Sequence, residues 1–181
     1  YPLSKSSPSP ATMSASRGDH ARCPEGTLVN NRYKIIRECG CGNFSKVFKA
    51  VDTLCPKKTV VAVKLLKREY ATDAKFENDM LKHINSFDKT DSHKLLKMRD
   101  FFVWNRHPVF VFPLKGAAVR NRKLSVLKGH VAREEFTKFA FEMVQALGYM
   151  HHELRMIHTD LKPENILLDG DVEKGFGNGW T

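Results

Sequence analysis

The chain has 181 residues, 30 Lys and Arg against 20 Asp and Glu, a formal net charge of +10 and 41% hydrophobic residues. That length suits one domain, or slightly more, with a core of its own, and the apolar fraction argues against wholesale disorder. No apolar run reaches the roughly 18 residues a membrane-spanning helix needs, no signal-type segment opens the chain, and Cys23, Cys39, Cys41 and Cys55 lack disulfide-framework spacing, so a non-membrane protein of the cytosol or nucleus is expected.

Residues 1 to about 18 are Ser- and Pro-rich with almost nothing to bury, and 1–30 read as a disordered tail and linker. Ser7-Pro8 and Ser9-Pro10 there suit either proline-directed phosphorylation or a passive solvated linker. Periodic sequence starts near Tyr33. Tyr33 to Cys39 and Val47 to Val51 read as strands around a glycine-rich turn, and Val60 to Leu66 is a β-branched run typical of a buried strand. Thr72 or Asp73 is placed to cap a helix with apolar positions Phe76, Met80, Leu81 and Ile84. Two further strands are predicted from Leu95 to Phe102 and from Pro108 to Phe112, then a turn from Pro113 to Arg122. A long helix from Arg133 to His152 carries Phe136, Phe139, Ala140, Met143, Val144 and Leu147 at a 3.6-residue period, which predicts a core face.

Three motifs carry chemistry. In Gly40-Cys41-Gly42-Asn43-Phe44-Ser45-Lys46-Val47, a glycine turn between strands lets backbone N–H groups approach phosphate oxygens with no Cβ in the way. A plain hairpin bend fits the same residues, and a following strand rather than helix argues against a dinucleotide-binding turn. In Val61-Ala62-Val63-Lys64, a lysine closes an apolar strand; either it needs a partner, for which Glu77 on the capped helix is the candidate, or it is a surface lysine at a strand end. In His158-Thr159-Asp160-Leu161-Lys162-Pro163-Glu164-Asn165-Ile166-Leu167-Leu168, a loop offers a carboxylate for a hydroxyl, a cation for a phosphate and a carboxamide oxygen for Mg²⁺.

With these motifs in this order, the chain resembles the protein kinase superfamily over about residues 31–170. His158-Thr159-Asp160 with Leu161 to Leu167 resembles the LAMMER (Clk) and SR-protein kinase branches. Tyr70, Ala74 to Glu77 and Leu81 to Asn85 are closer to the LAMMER branch, whereas Gly42-Asn43-Phe44-Ser45 is similar to the SR-protein kinase glycine loop; LAMMER is favoured. The resemblance implies an α+β kinase-like fold: a complete antiparallel small lobe over about 31–112 with one main helix, a hinge over 113–116, and the first part of a helical lobe over 117–181. It implies ATP and Mg²⁺ as cofactors and a protein Ser/Thr hydroxyl as acceptor, with Tyr added in the dual-specificity alternative. Arg/Ser-rich splicing factors are implied as substrates, in the nucleus or the cytoplasm.

Residue by residue, the resemblance implies that Gly40, Gly42 and Val47 cover the nucleotide and Ala62 lines the adenine pocket. Lys64, paired with Glu77, would hold the α/β-phosphates; Phe112 would be the gatekeeper, and Pro113 and Lys115 would offer a carbonyl and an N–H to adenine. Asp160 is implied as catalytic base, Lys162 as the cation on the transferring phosphoryl group, and Asn165 as a Mg²⁺ ligand. Ser45 stands where the family has a third glycine, and Thr159 where it usually has the arginine that meets a phosphorylated activation loop. No Asp-Phe-Gly or Ala-Pro-Glu occurs in these 181 residues, so the second, anionic metal ligand is missing and these residues alone are expected to be inactive. Gly175-Phe176-Gly177 reads as part of an insert loop or as a degenerate metal motif. A catalytically inactive kinase-fold scaffold is the rival reading.

Other patterns are weaker. His152-Glu153 begins a His-Glu-x-x-His zinc motif, but position 156 is Met; Cys39 and Cys41 have no matching pair nearby. The basic charge favours encounters with any polyanion, but no basic run is interleaved with stacking aromatics, so direct nucleic-acid binding is not expected.

Overall fold

The computed structural model describes residues 22–116, 118–119, 133–169 and 179–180. Most of the Ser/Pro tail, much of the turn after Pro113, and Gly175-Phe176-Gly177 lie outside them. A six-stranded antiparallel sheet runs in the order β1-β2-β3-β4-β6-β5, built from β1 (Leu28–Val29), β2 (Tyr33–Cys41), β3 (Ser45–Asp52), β4 (Val60–Leu66), β5 (Asp100–Trp104) and β6 (His107–Pro113). Helix α1 (Ala71–Phe87) lies between β4 and β5, and helix α2 (Arg133–His152) follows the sheet; β7 (Leu168–Asp169) pairs with β8 (Gly179–Trp180).

The β-branched run of β4 buries both faces because side chains alternate across a strand. Val61, Val63 and Leu65 join Ile35, Phe48, Ala50, Val109 and Val111 in one core, closed by Tyr33 and Val29. Ala62, Lys64 and Leu66 stand on the opposite face, beside Phe110, Phe112, Met98 and Ala74 of α1. Two tight hairpins set the register. Asn105 and Arg106 have φ of 49° and 66° between the paired residues Trp104 and His107, the left-handed geometry of a two-residue turn that matches sheet twist. Asn30 and Asn31, each at φ 51°, turn the chain from β1 into β2, a strand pair that precedes the expected start at Tyr33.

Three expectations need correction. The strand predicted from Leu95 begins only at Asp100. Lys94 has φ of 59°, and Leu95 and Leu96 turn into two different helix-facing clusters rather than joining the sheet. Neither Thr72 nor Asp73 caps α1: Tyr70 occupies the N-cap with no side-chain bond, and Asp73 instead lies in the first turn, where a negative charge suits the helix dipole. The apolar stripe of α2 is not wholly core. Met150 is buried with Ile84 and Leu154, and Ala146 is buried too, whereas Phe136, Phe141 and Val144 are 59%, 61% and 68% exposed. Near the C-terminal end of α2, Met150 and Tyr149 cluster with Ile84 of α1 and with Leu95.

That junction is held by polar contacts as well. Asp88, at the end of α1, is 1% exposed; its Oδ1 meets His93 Nδ1 at 3.2 Å and accepts the Ser92 N–H at 3.2 Å, and Lys97 Nζ lies 3.6 Å from Oδ2. The His93 ring stacks on Tyr149 of α2, with centroids 3.5 Å apart, and His83 of α1 reaches the Leu154 carbonyl at 3.3 Å. Burial alone would raise the Asp88 pKa, but the bonds from His93 and Ser92 and the Lys97 charge outweigh it and hold the carboxyl below its ordinary value. Asp88→Ala is expected to cost about 1–3 kcal/mol at pH 7. A group with a depressed folded pKa stabilises above its unfolded value, so the gap between variant and wild type should close as pH falls below about 3.9. Denaturant unfolding at both pH values tests this; an equal gap at the two would exclude the ionised carboxylate as the cause.

Candidate active site

Three cross-strand pairings assemble the first half of the site. Gly40 lies opposite Val47, Val47 opposite Lys64, and Lys64 opposite Phe110, so one row crosses β2, β3, β4 and β6. Ala62 lies opposite Phe112 one repeat along, on the same face as Lys64. Phe112 is 8% exposed, packed with Phe110, Leu66, Met98 and Ala74. The turn between β2 and β3 is closed by the Gly42 N–H donating to the Ser45 carbonyl at 2.9 Å. A methyl group on Gly40 or Gly42 would meet nothing nearer than 4.0 Å and 3.8 Å respectively. Packing within the protein therefore does not demand these glycines; what they provide is open approach to the backbone from outside.

Lys64 leaves its apolar strand toward α1, and its Nζ lies 2.8 Å from Glu77 Oε1. The ammonium also stands 5.5 Å from the centre of the Phe110 ring. Both charged side chains remain about one-third exposed, so the pair is reachable from solvent. The partner inferred for Lys64 from spacing alone is the one the tertiary structure supplies.

The second half follows α2. Asp160, Lys162 and Asn165 meet in one loop. Lys162 Nζ contacts Asp160 Oδ2 at 2.8 Å and Oδ1 at 2.9 Å, and the Asn165 amide donates to the Asp160 carbonyl at 2.9 Å and to its Oδ2 at 3.0 Å. The bond from Lys162 first, then the bond from Asn165, hold the Asp160 carboxyl below its ordinary pKa although it lies open to solvent. The neighbouring Thr159 has φ of 60°, a left-handed backbone rare for a β-branched residue and a form of strain concentrated at functional sites. Asn165 uses its amide nitrogen on Asp160, which leaves the oxygen, the atom a hard cation takes, turned elsewhere.

Among the described residues, no three His, Cys, Asp or Glu side chains form a metal cluster. Mg²⁺ commonly keeps several waters and takes only one or two protein ligands beside phosphate oxygens, so the Asn165 side-chain oxygen fits one position of a partial shell for it. No helix among the described residues is long and apolar enough to cross a membrane.

Pro113 and Lys115 lie where β6 leaves the sheet. The Lys115 side chain is engaged elsewhere, with its Nζ 2.6 Å from Asp169 Oδ1. Lys94 reaches the other oxygen of Asp169 at 3.6 Å, and the Gly116 N–H donates to the Leu168 carbonyl at 2.8 Å. Asp169 thus ties the strand exit to the segment after the catalytic-type loop, a role the sequence analysis missed because its partners are 54 and 75 positions away and no local pattern marks them.

A family model described as protein kinase domain matches residues 33–174. The chain is 33% identical over 160 residues to the serine/threonine-protein kinase spk-1 of Caenorhabditis elegans, covering 84% of this chain and 16% of that protein. It is 32% identical over 153 residues to the dual specificity protein kinase CLK4 of Homo sapiens, covering 82% and 31%. The crystal structure of the PF14_0431 kinase domain superposes with a TM-score of 0.73 at 30% identity, over 84% of this chain and 44% of that one. The chain spans about a third or less of the length of these two curated relatives.

Proposed function

We propose that this chain, which belongs to the protein kinase family, carries the nucleotide-holding and hydroxyl-orienting parts of an enzyme that phosphorylates protein Ser/Thr, and also Tyr, residues. The observation that carries the reading is the 2.8 Å contact of Lys64 with Glu77 on the sheet face shared with Val47, Ala62 and Phe112. It sets an oriented cation beneath a glycine turn whose backbone is open to phosphate oxygens.

In this reading Gly40, Gly42 and Val47 cover the nucleotide, Ala62 and Phe112 bound the adenine pocket, and Pro113 and Lys115 meet the base with main-chain groups. Lys64 binds the α/β-phosphates while Glu77 keeps its ammonium aimed. Asp160, ionised at neutral pH, accepts the hydrogen bond of the substrate hydroxyl and orients its oxygen; Lys162 stands beside it to offset charge on the phosphoryl group in transit. Mg²⁺ held in part by Asn165 supplies neutralisation of phosphate charge.

Within the family, the LAMMER branch is the proposed placement, supported by Tyr70 and the α1 residues quoted above and by relatives that include CLK4; spk-1 keeps the SR-protein kinase branch next. Arg/Ser-rich splicing factors in the nucleus are the corresponding proposed substrates and place.

Binding of a fluorescent ATP analogue tests the nucleotide half. Lys64→Met should weaken it about 10- to 100-fold, the value of one or two charge-assisted contacts. An unchanged affinity would remove Lys64 from the phosphate site. Nucleotide binding by a whole protein that transfers no phosphoryl group would favour the scaffold reading.

A further inference from the structure

We infer that His107 is a positioning residue: its buried imidazole fixes the connection between β4 and α1, and through it the placement of Glu77 and of the glycine-loop tip. His107 is 3% exposed, and both ring nitrogens are engaged. Nδ1 lies 2.8 Å from the Leu66 carbonyl, which only accepts, so Nδ1 carries the proton and Nε2 accepts from Arg68 Nε–H at 3.2 Å. The two residues held flank Lys67, which is itself 6% exposed.

Lys67 is where loop and helix meet. Its N–H donates to the Phe44 carbonyl at 3.0 Å, and its carbonyl accepts the Tyr70 N–H at 3.2 Å. The Phe44 and Tyr70 rings meet edge to face, with centroids 5.1 Å apart and planes at 78°. Phe44 is the tip of the turn between β2 and β3, and Tyr70 is the N-cap of α1, about two helical turns before Glu77. One imidazole therefore clamps both ends of a three-residue span from which the loop tip and the Glu77 helix both hang. An apolar ring of similar size would fill the space but leave the Leu66 carbonyl and the Arg68 guanidinium without these bonds.

The positioning role itself needs only the contacts above; its consequence for ATP rests on the function proposed in the preceding section. Three variants separate the two. His107→Phe removes both bonds at similar volume, His107→Asn keeps a donor near the Nδ1 position, and Lys64→Met reports on the nucleotide site alone. Amide hydrogen exchange on the 181-residue chain is the first readout. In His107→Phe the Lys67 and Tyr70 amides should exchange at least about tenfold faster while those of Val63 and Val111 hold their rates, with His107→Asn between. Unchanged rates at Lys67 and Tyr70, or an equal rise at all four amides, would overturn the proposal, since the latter is general destabilisation. Affinity for the fluorescent ATP analogue is the second readout and should fall about tenfold in His107→Phe. Selective exchange at Lys67 together with no nucleotide uptake by the wild type would uphold the positioning role and sink the nucleotide reading. Selective exchange with wild-type affinity in His107→Phe would overturn the link to the nucleotide site.

Discussion

Asp160→Asn, made in the protein that contains this chain, is expected to lower the rate of phosphoryl transfer by about 10²–10⁴ while ATP affinity changes little. The substitution keeps the shape of the side chain and an oxygen that accepts from Lys162, so the loop should keep its fold. What it removes is the charge. In the native loop, Lys162 and Asn165 both donate to the carboxylate and hold it ionised, so it can accept a hydroxyl hydrogen bond and then the proton. A neutral carboxamide has no comparable affinity for that proton. The residues proposed to hold the nucleotide, Lys64, Glu77, Val47 and Ala62, belong to the sheet and α1, away from this loop in sequence and hydrogen bonding. The losses should therefore separate into kcat and leave the nucleotide dissociation constant within about threefold, well under the tenfold that 1.4 kcal/mol represents. Steady-state kinetics with a protein substrate, beside binding of the ATP analogue, reads both. Turnover at the wild-type rate would remove Asp160 from the reaction.

Phe110→Ala should be the most damaging change to stability, with a cost of about 3–5 kcal/mol. Phe110 is fully buried, tilted against Phe101 at 4.8 Å and stacked near Phe112 at 6.2 Å, with the Lys64 ammonium over its ring. Truncation leaves a cavity between the sheet and α1, and these neighbours cannot all close it because each is fixed in its own strand. Against a typical domain stability of about 5–15 kcal/mol, much of the native population would be lost. Phe76→Ala on α1 is the control: Phe76 is 70% exposed, and its removal should change stability by no more than about 0.5 kcal/mol. Denaturant midpoints of the two variants test the contrast, and similar shifts for both would contradict the burial argument.

Phe110 and Phe76 look alike in the sequence, and their different fates mark the limit of what a linear pattern holds. The strand of Val60 to Leu66 was legible because it is one contiguous β-branched, apolar run, and the glycine turn was legible because Gly40 to Val47 stand together between two strand-like runs. Lys64 with Glu77 was legible for a similar reason: a cation within an apolar strand calls for a carboxylate, and a helix that carries one follows. Asp160, Lys162 and Asn165 lie within six consecutive residues, so a single loop sets their geometry.

The rest depends on contacts between distant segments. Leu95 and Leu96 have strand-like chemistry, yet packing against separate helix clusters draws them out of the sheet. Phe136 and Met150 lie on one helix, yet Phe136 is exposed while Met150 is buried with Ile84 and Leu154. Asp169, His107 and Asp88 are ordinary polar residues until the fold brings Lys115, Leu66 with Arg68, and His93 with Lys97 to them. The amino-acid sequence by itself determined the strands from Tyr33 to Leu66, the loop chemistry and the family, since each follows from neighbours in the chain. The tertiary structure alone decided which apolar faces are core and which polar groups hold the halves of the site together, because burial and hydrogen bonding are properties of pairs that the chain order does not encode.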